Sequence, residues 1–139
     1  MPLVAHNDLP TFERLHREGL TVLSADRARH QEIRELHIGL LNMMPDAALE
    51  ATERQFFRLI GESNPIAQFY VHPFTLDALP REAKGRAHID RYYEPFERIR
   101  EEGLDALIIT GANVTHADLA QEPFWQPLIE VIDWAMENV

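Results

Sequence analysis

The chain alternates short runs of apolar and β-branched residues with longer stretches in which apolar residues recur every three or four positions. These two periods predict strands and helices in turn. The run LHIGLLNMM (36–44) carries Ile38, Leu40 and Leu41 and stops at Pro45, as a buried strand would. Beyond it, Leu49, Phe56 and Ile60 fall at i, i+7 and i+11 on one helical stripe, with Asp46 expected as N-cap and Gly61 as the C′ glycine. IAQFYVHPF (66–74) is rich in aromatic and β-branched residues and predicts a second strand, broken by Pro73. In HIDRYYEPFERIREEG (88–103), Ile89, Tyr92, Tyr93, Phe96 and Ile99 share a helical face; Pro95 splits that element or starts its second half, and Gly103 ends it. Residues 104–109 predict a third strand, apolar enough to be buried. A last amphipathic helix is expected over 127–138, with Leu128, Val131, Ile132 and Ala135 in phase and Pro127 in its first turn.

Residues 1–35 are polar and charged. Asp8-Leu9-Pro10 and Gly19 bracket a short helical pattern that Thr11 is placed to cap, so this arm is expected to be irregular or short-helical. Strands alternating with helices over 36–139 predict an α/β fold, a mostly parallel sheet with flanking helices, because parallel neighbours need crossover connections. A sheet of about three strands is small for such a fold, and a closing helix ordinarily feeds another strand, so the domain is expected to continue past Val139.

Composition narrows the function classes. Lys and Arg number 13 against 23 Asp and Glu, and the formal net charge of −10 opposes nucleic-acid binding. A phosphate-bearing ligand would need a local pocket of arginines or backbone amides. There is no cysteine, which removes disulfides, thiolate metal sites and a cysteine nucleophile from these residues. The start MPLVAHNDLPTFERL lacks the pattern of a secretory signal, and no run of about 18 apolar residues occurs; a cytoplasmic protein without a membrane span is expected.

Ligands of open α/β sheets bind beyond the carboxyl ends of the strands, which singles out the turns Asn42-Met43-Met44-Pro45 and Thr110-Gly111-Ala112-Asn113. A glycine directly after a buried strand lets the chain bend and leaves the next amides free to face an oxyanion, although the same signal also marks plain turns. Asn42 is suited either to a ligand or to the backbone of its own turn. Glu53 places a carboxylate on the stripe expected to face the core, as a rim residue paired with Arg54 or Arg58 or as an acid held near the site. The seven histidines (His6, His16, His30, His37, His72, His88, His116) include no i, i+4 pair; packing and surface roles are expected, and no metal site. The Tyr92-Tyr93 pair and the tryptophans are expected in helix packing.

The segments LHIGLLNMMP, ATERQFFRLIG, GLDALIITGANV and EPFWQPLIEVIDWAMENV, with DLP near the start and HQEIREL before the first strand, resemble the amino-terminal part of the homoserine O-succinyltransferase family. That resemblance implies a class I glutamine-amidotransferase-like (flavodoxin-like) fold and a cytoplasmic enzyme of methionine biosynthesis. It also implies L-homoserine as acceptor, acyl-CoA (succinyl-CoA or acetyl-CoA) as co-substrate, no permanently bound cofactor, and a homo-oligomer. Its chemistry is a ping-pong transfer in which a cysteine, activated by a His-Glu pair, accepts the acyl group and passes it to the homoserine hydroxyl. The resemblance puts that cysteine beyond Val139, so no catalytic residue lies within the chain, and the chain alone is expected to be inactive. By the same resemblance, the backbone of Gly111 and Ala112 contributes to the oxyanion hole, and Glu53, within the family's TE motif with Thr52, supports the site or the fold around it; Asn42, from its place in the turn after the first strand, is expected to support the site too. Thr115 matches the position that selects the acyl donor, where family members with glutamate tend to use acetyl-CoA and those with glycine succinyl-CoA. A neutral threonine lacks the repulsion of a glutamate but is bulkier than glycine, which favours succinyl. Two departures weaken the match: Asn113 replaces the usual proline, and PDAALEATE is longer than the usual stretch and lacks its lysine. The alternatives are an acetyl-CoA-dependent enzyme, complementation by a separate carboxyl-terminal chain, and a non-catalytic flavodoxin-like binding module. A receiver's acidic pair and a flavin module's phosphate loop are both missing after the first strand.

Overall fold

Two seven-residue strands form the centre of the sheet. β3 (Glu35–Leu41) and β4 (Gln68–Phe74) pair in parallel from Glu35↔Gln68 to Leu41↔Phe74. The computed structural model describes residues 3–29 and 34–139, so His30 and most of the HQEIREL segment lie outside the described residues. β4 is buried along its whole length, as its aromatic and β-branched content predicts. Pro73 does not break it. The Pro73 carbonyl accepts from Glu94 N at 3.0 Å while Phe74 O accepts from Asn42 N, so Pro73 faces away from β3. On that side the neighbouring strand β1 (Leu3–Ala5) has already ended, and the missing N–H breaks no ladder bond.

The sheet has five strands, all parallel, in the order β2-β1-β4-β3-β5. β5 (Ala106–Ile109) runs beside β3 from Ile38↔Ala106 to Leu41↔Ile109. The arm is the main correction. The expected helix is present as α1 (Pro10–Arg17), but β1 and β2 (Val22–Ser24), followed by α2 (Ala25–Arg29), join residues 3–29 to the same sheet. Three-residue strands carry too little alternation to show in a sequence, and here packing overrides propensity. β5 also differs from expectation: among the described residues it pairs only with β3, and Ile109 is 38% exposed.

Strand alternation sends Leu3, Leu40, Phe69 and Val71 to one face, where Leu15 of α1 and Phe57 and Ile60 of α3 (Asp46–Ser63) cover them. Leu41 and Phe74 point to the other face, under Ile99 of α5 (Phe96–Glu102) and Val131 of α6 (Trp125–Asn138). α4 (Ala83–Tyr92) packs Ile89 on Leu49 of α3. Pro95 precedes α5 as its N-cap and separates it from α4, and Gly103 ends α5 at φ 81, a conformation that favours glycine. Among the described residues, no helix is long and apolar enough to cross a membrane.

Local chemistry in α3 also differs from the pattern. Gly61 is not a C′ residue; the helix runs through it to Ser63, and a Cβ there would stand 3.1 Å from side-chain atoms of Leu3 and Leu20. Close packing of helix on strand explains this glycine. The buried aromatic is Phe57, with Phe56 only half-buried beside it, because the stripe follows Leu49, Glu53, Phe57 and Ile60 at i, i+4, i+8 and i+11. Phe57→Ala is therefore expected to lower unfolding free energy by about 3–5 kcal/mol, and Phe56→Ala by clearly less. Urea denaturation of the two variants tests this, and equal losses would contradict the assignment.

Candidate active site at the carboxyl ends of the strands

The turns after β3 and β5 leave the sheet in opposite directions, one toward α3 and the other toward α6. Between two such turns an open α/β sheet has its binding crevice. A single hydroxyl ties them together. Thr110 N donates to Leu41 O at 3.0 Å as the last rung of the ladder. The Thr110 Oγ1 then accepts from Met43 N at 2.8 Å and donates to Gly111 O at 2.9 Å. The amides of Gly111 and Ala112 find no hydrogen-bond partner among the described residues. Gly111 does not have positive φ, and a Cβ built on it would meet nothing within 4 Å, so neither strain nor crowding within these residues requires a glycine at that bend.

Beside the two turns lies a cavity of about 160 Å³, lined by Met43 and Pro45 after β3, by Leu79 and Arg81 after β4, and by Thr115, His116 and Phe124 beyond β5. Of the expected residues, Thr115 reaches this cavity. Glu122, on the same wall, is buried and accepts from both Thr115 N and His116 N at 2.7 Å, with the His116 ring 3.2 Å away. Burial raises the pKa of Glu122, but the two amides and the ring hold it below the usual carboxylate range. The loop bearing Thr115 is thus fixed by a carboxylate that the sequence pattern gave no reason to single out.

Arg81 forms the opposite wall. Its side chain is 1% exposed, and its guanidinium donates to Met44 O, to Asp46 Oδ1 at 3.3 Å and to Thr75 Oγ1 at 3.1 Å. Asp46 is accordingly not an N-cap; Pro45 occupies that position, and Asp46 Oδ2 accepts from Glu82 N at 2.8 Å, joining the start of α3 to the start of α4. Charge near a helix N-terminus remains favourable there.

Asn42 and Glu53 sit behind the cavity and do not line it. Asn42 is fully buried; its Nδ2 donates to Leu49 O at 2.9 Å and to Tyr93 Oη at 3.1 Å, and its Oδ1 accepts from Met44 N at 3.3 Å. It satisfies its own turn and holds α4 against β3. Glu53 is 0% exposed and accepts from Thr11 Oγ1 and from His88 Nε2 at 3.0 Å. Thr11, expected as the cap of α1, spends its hydroxyl on this carboxylate, and Leu9 is the N-cap. Burial, and then the charge of Glu53, push the Tyr93 hydroxyl pKa far up, so it stays protonated. Thr110, Arg81, Glu122, Tyr93, His88 and Thr11 were not singled out for these roles by the sequence, since none has a short-range spacing partner that marks it.

This architecture, a five-stranded parallel sheet with helices on both faces and a crevice at its carboxyl edge, is a flavodoxin-like α/β domain. Residues 2–139 match the homoserine O-succinyltransferase family, and the chain belongs to it. It is 79% identical to the homoserine O-succinyltransferase of Thiobacillus denitrificans, 74% to that of Allochromatium vinosum and 70% to that of Methylococcus capsulatus. Each match covers all 139 residues of this chain and 40%, 39% and 39% of the respective relative. The chain spans about two fifths of the length of the curated relatives it matches.

The Glu53 cluster has a pH signature. Burial lowers the pKa of the His88 imidazolium, but the hydrogen bond and charge of Glu53, with Glu50 beyond, leave it above the usual 6.5. A folded-state pKa above the unfolded value makes the stabilisation complete below about pH 6.5 and lost as pH rises through the folded value. The stability difference between the wild type and His88→Gln is therefore expected to shrink from about pH 6 to about pH 8. Denaturant titrations across that range measure it, and a difference that stays constant or grows would contradict the pairing.

Proposed function

We propose that the full-length protein transfers a succinyl group from succinyl-CoA to the hydroxyl of L-homoserine, releasing CoA and O-succinyl-L-homoserine. The observation that carries this is the match of residues 2–139 to the homoserine O-succinyltransferase family, together with a crevice at the carboxyl edge where that chemistry needs one. In this proposal, residues 3–29, whose strands share the sheet, and residues 36–139 form the amino-terminal part of the acyltransferase domain. A cysteine thiolate from outside these 139 residues, which contain no cysteine, attacks the acyl carbon and the CoA thiolate departs. The homoserine oxygen then attacks the resulting thioester, loses its proton to a base, and releases the cysteine thiolate. Each attack creates a tetrahedral oxyanion. The amides of Gly111 and Ala112, without a partner among the described residues and held by Thr110 against the turn after β3, are donors for it.

The donor is read from Thr115. It is uncharged, it lines the cavity, and its amide is fixed by Glu122. A succinyl carboxylate meets no like charge from Thr115. Asn42 and Glu53 are positioning residues, acting through the turn after β3.

An assay of the purified full-length protein for L-homoserine-dependent CoA release is expected to show higher kcat/KM with succinyl-CoA than with acetyl-CoA. Thr115→Glu is expected to lower kcat/KM for succinyl-CoA by at least about tenfold and to spare acetyl-CoA, as a repelled carboxylate requires. Equal losses for both donors would overturn the role of Thr115, and no homoserine-dependent release with either donor would overturn the proposed activity.

A further inference from the structure

Away from the crevice, three side chains from distant parts of the sequence converge on one point. His6 follows β1, His72 lies within β4, and Glu94 sits in the link between α4 and α5; their donor atoms all lie within 4.8 Å of one another. The tautomers follow from their partners. His6 Nδ1 is 3.1 Å from Val4 O, and a carbonyl only accepts, so Nδ1 carries the proton and Nε2 presents a lone pair. That Nε2 is buried and has no hydrogen-bond partner among the described residues. Burial also lowers the pKa of His6, favouring the neutral ring. An orphaned buried acceptor costs free energy unless something meets it.

We propose that His6 Nε2, His72 Nδ1 and a Glu94 carboxylate oxygen form a binding site for a borderline divalent cation of the zinc class. Two neutral imidazoles and one carboxylate suit such an ion, whereas magnesium and calcium prefer oxygen ligands throughout. Zinc bonds of about 2.0–2.1 Å place neighbouring donors about 3–4 Å apart, so closure takes a side-chain shift of about 1 Å. In the empty site His72 Nδ1–H donates to Glu94 Oε2 at 2.7 Å. On binding, the His72 proton moves from Nδ1 to Nε2, which then donates to His37 Nδ1, while the His37 proton moves to its Nε2 beside Glu35 Oε2 at 3.4 Å, so both rings stay neutral; the freed Nδ1 lone pair and the Glu94 carboxylate turn to the ion, and a water completes the coordination.

The outer partners are those a metal site uses. His6 Nδ1–H keeps its carbonyl, and His72 Nε2 keeps the ring nitrogen of His37 at 2.9 Å, so both ligating rings are oriented from behind. The Glu94 amide already donates to Pro73 O at 3.0 Å, fixing its backbone beside β4. An ion held here ties β1, β4 and the α4–α5 link together. The site is structural in character and independent of the proposed acyl transfer.

Cobalt(II) is the probe, because a four- or five-coordinate site gives it visible absorption that zinc then displaces. Full-length protein stripped with a chelator is expected to take up cobalt at this site with such a band, and His6→Gln and Glu94→Gln are each expected to weaken it at least about tenfold. The exposed His16→Gln leaves it unchanged. The two diagnostic substitutions sit on different segments, so a folding defect in one leaves the other readable. Absence of the band, or a band of unaltered affinity in both variants, would overturn the site.

Discussion

A carboxylate sealed from water has to be paired, and at Glu53 that requirement organises much of the molecule. Its oxygens receive Thr11 from α1 and His88 from α4, while Tyr93 of the same region is linked to Asn42 at the end of β3. Removing one partner from such a cluster leaves a buried carboxylate oxygen without a donor, which costs about 1–3 kcal/mol or more. Three helices and the turn after β3 are thereby held in one arrangement. The apolar faces supply most of the stabilisation, but they are non-directional; the polar cluster fixes which helix lies where.

The crevice inherits that order. Asn42 belongs to the Glu53 cluster on one side and, through Met44 and the carbonyl that accepts from Thr75 Oγ1, to the turn at the cavity on the other. Thr110 links this turn to the loop after β5, and Glu122 holds the far end of that loop by two amides. The Gly111 and Ala112 amides lie between two fixed points, free of partners among the described residues. In the proposed acyl transfer, donors fixed in this way before the reaction cost nothing to reorient as charge develops, which is the physical content of preorganisation.

The sequence made the central layer legible and left the edges and the polar contacts obscure. Leu40, Leu41, Val71 and Phe74 sit in runs long enough to identify β3 and β4, and Pro95 and Gly103 punctuate the helices where they were expected. β1 and β2 escaped because three residues give no period, and Phe57 was displaced by Phe56 because a helical stripe is about 100° wide and admits either. Glu53 stood out as a charge on an apolar stripe. Its partners Thr11, His88 and Tyr93 did not, since their proximity depends on how α1 and α4 pack, a tertiary outcome that spacing does not encode. Arg81 and Glu122 were hidden for the same reason. The Gly111 turn stands out as a glycine directly after a strand at the carboxyl end of the sheet, Thr115 only through resemblance to a family, and geometry adds what surrounds them.

The most direct measurement is a crystal structure of the full-length protein carrying a stable tetrahedral mimic of the acyl-transfer intermediate. The expected result is an anionic oxygen about 2.7–3.1 Å from the backbone nitrogen of Gly111 or Ala112, with Thr110 still bridging the two turns. An oxygen bound only by other donors, with both amides turned away from it, would contradict the role assigned to this bend.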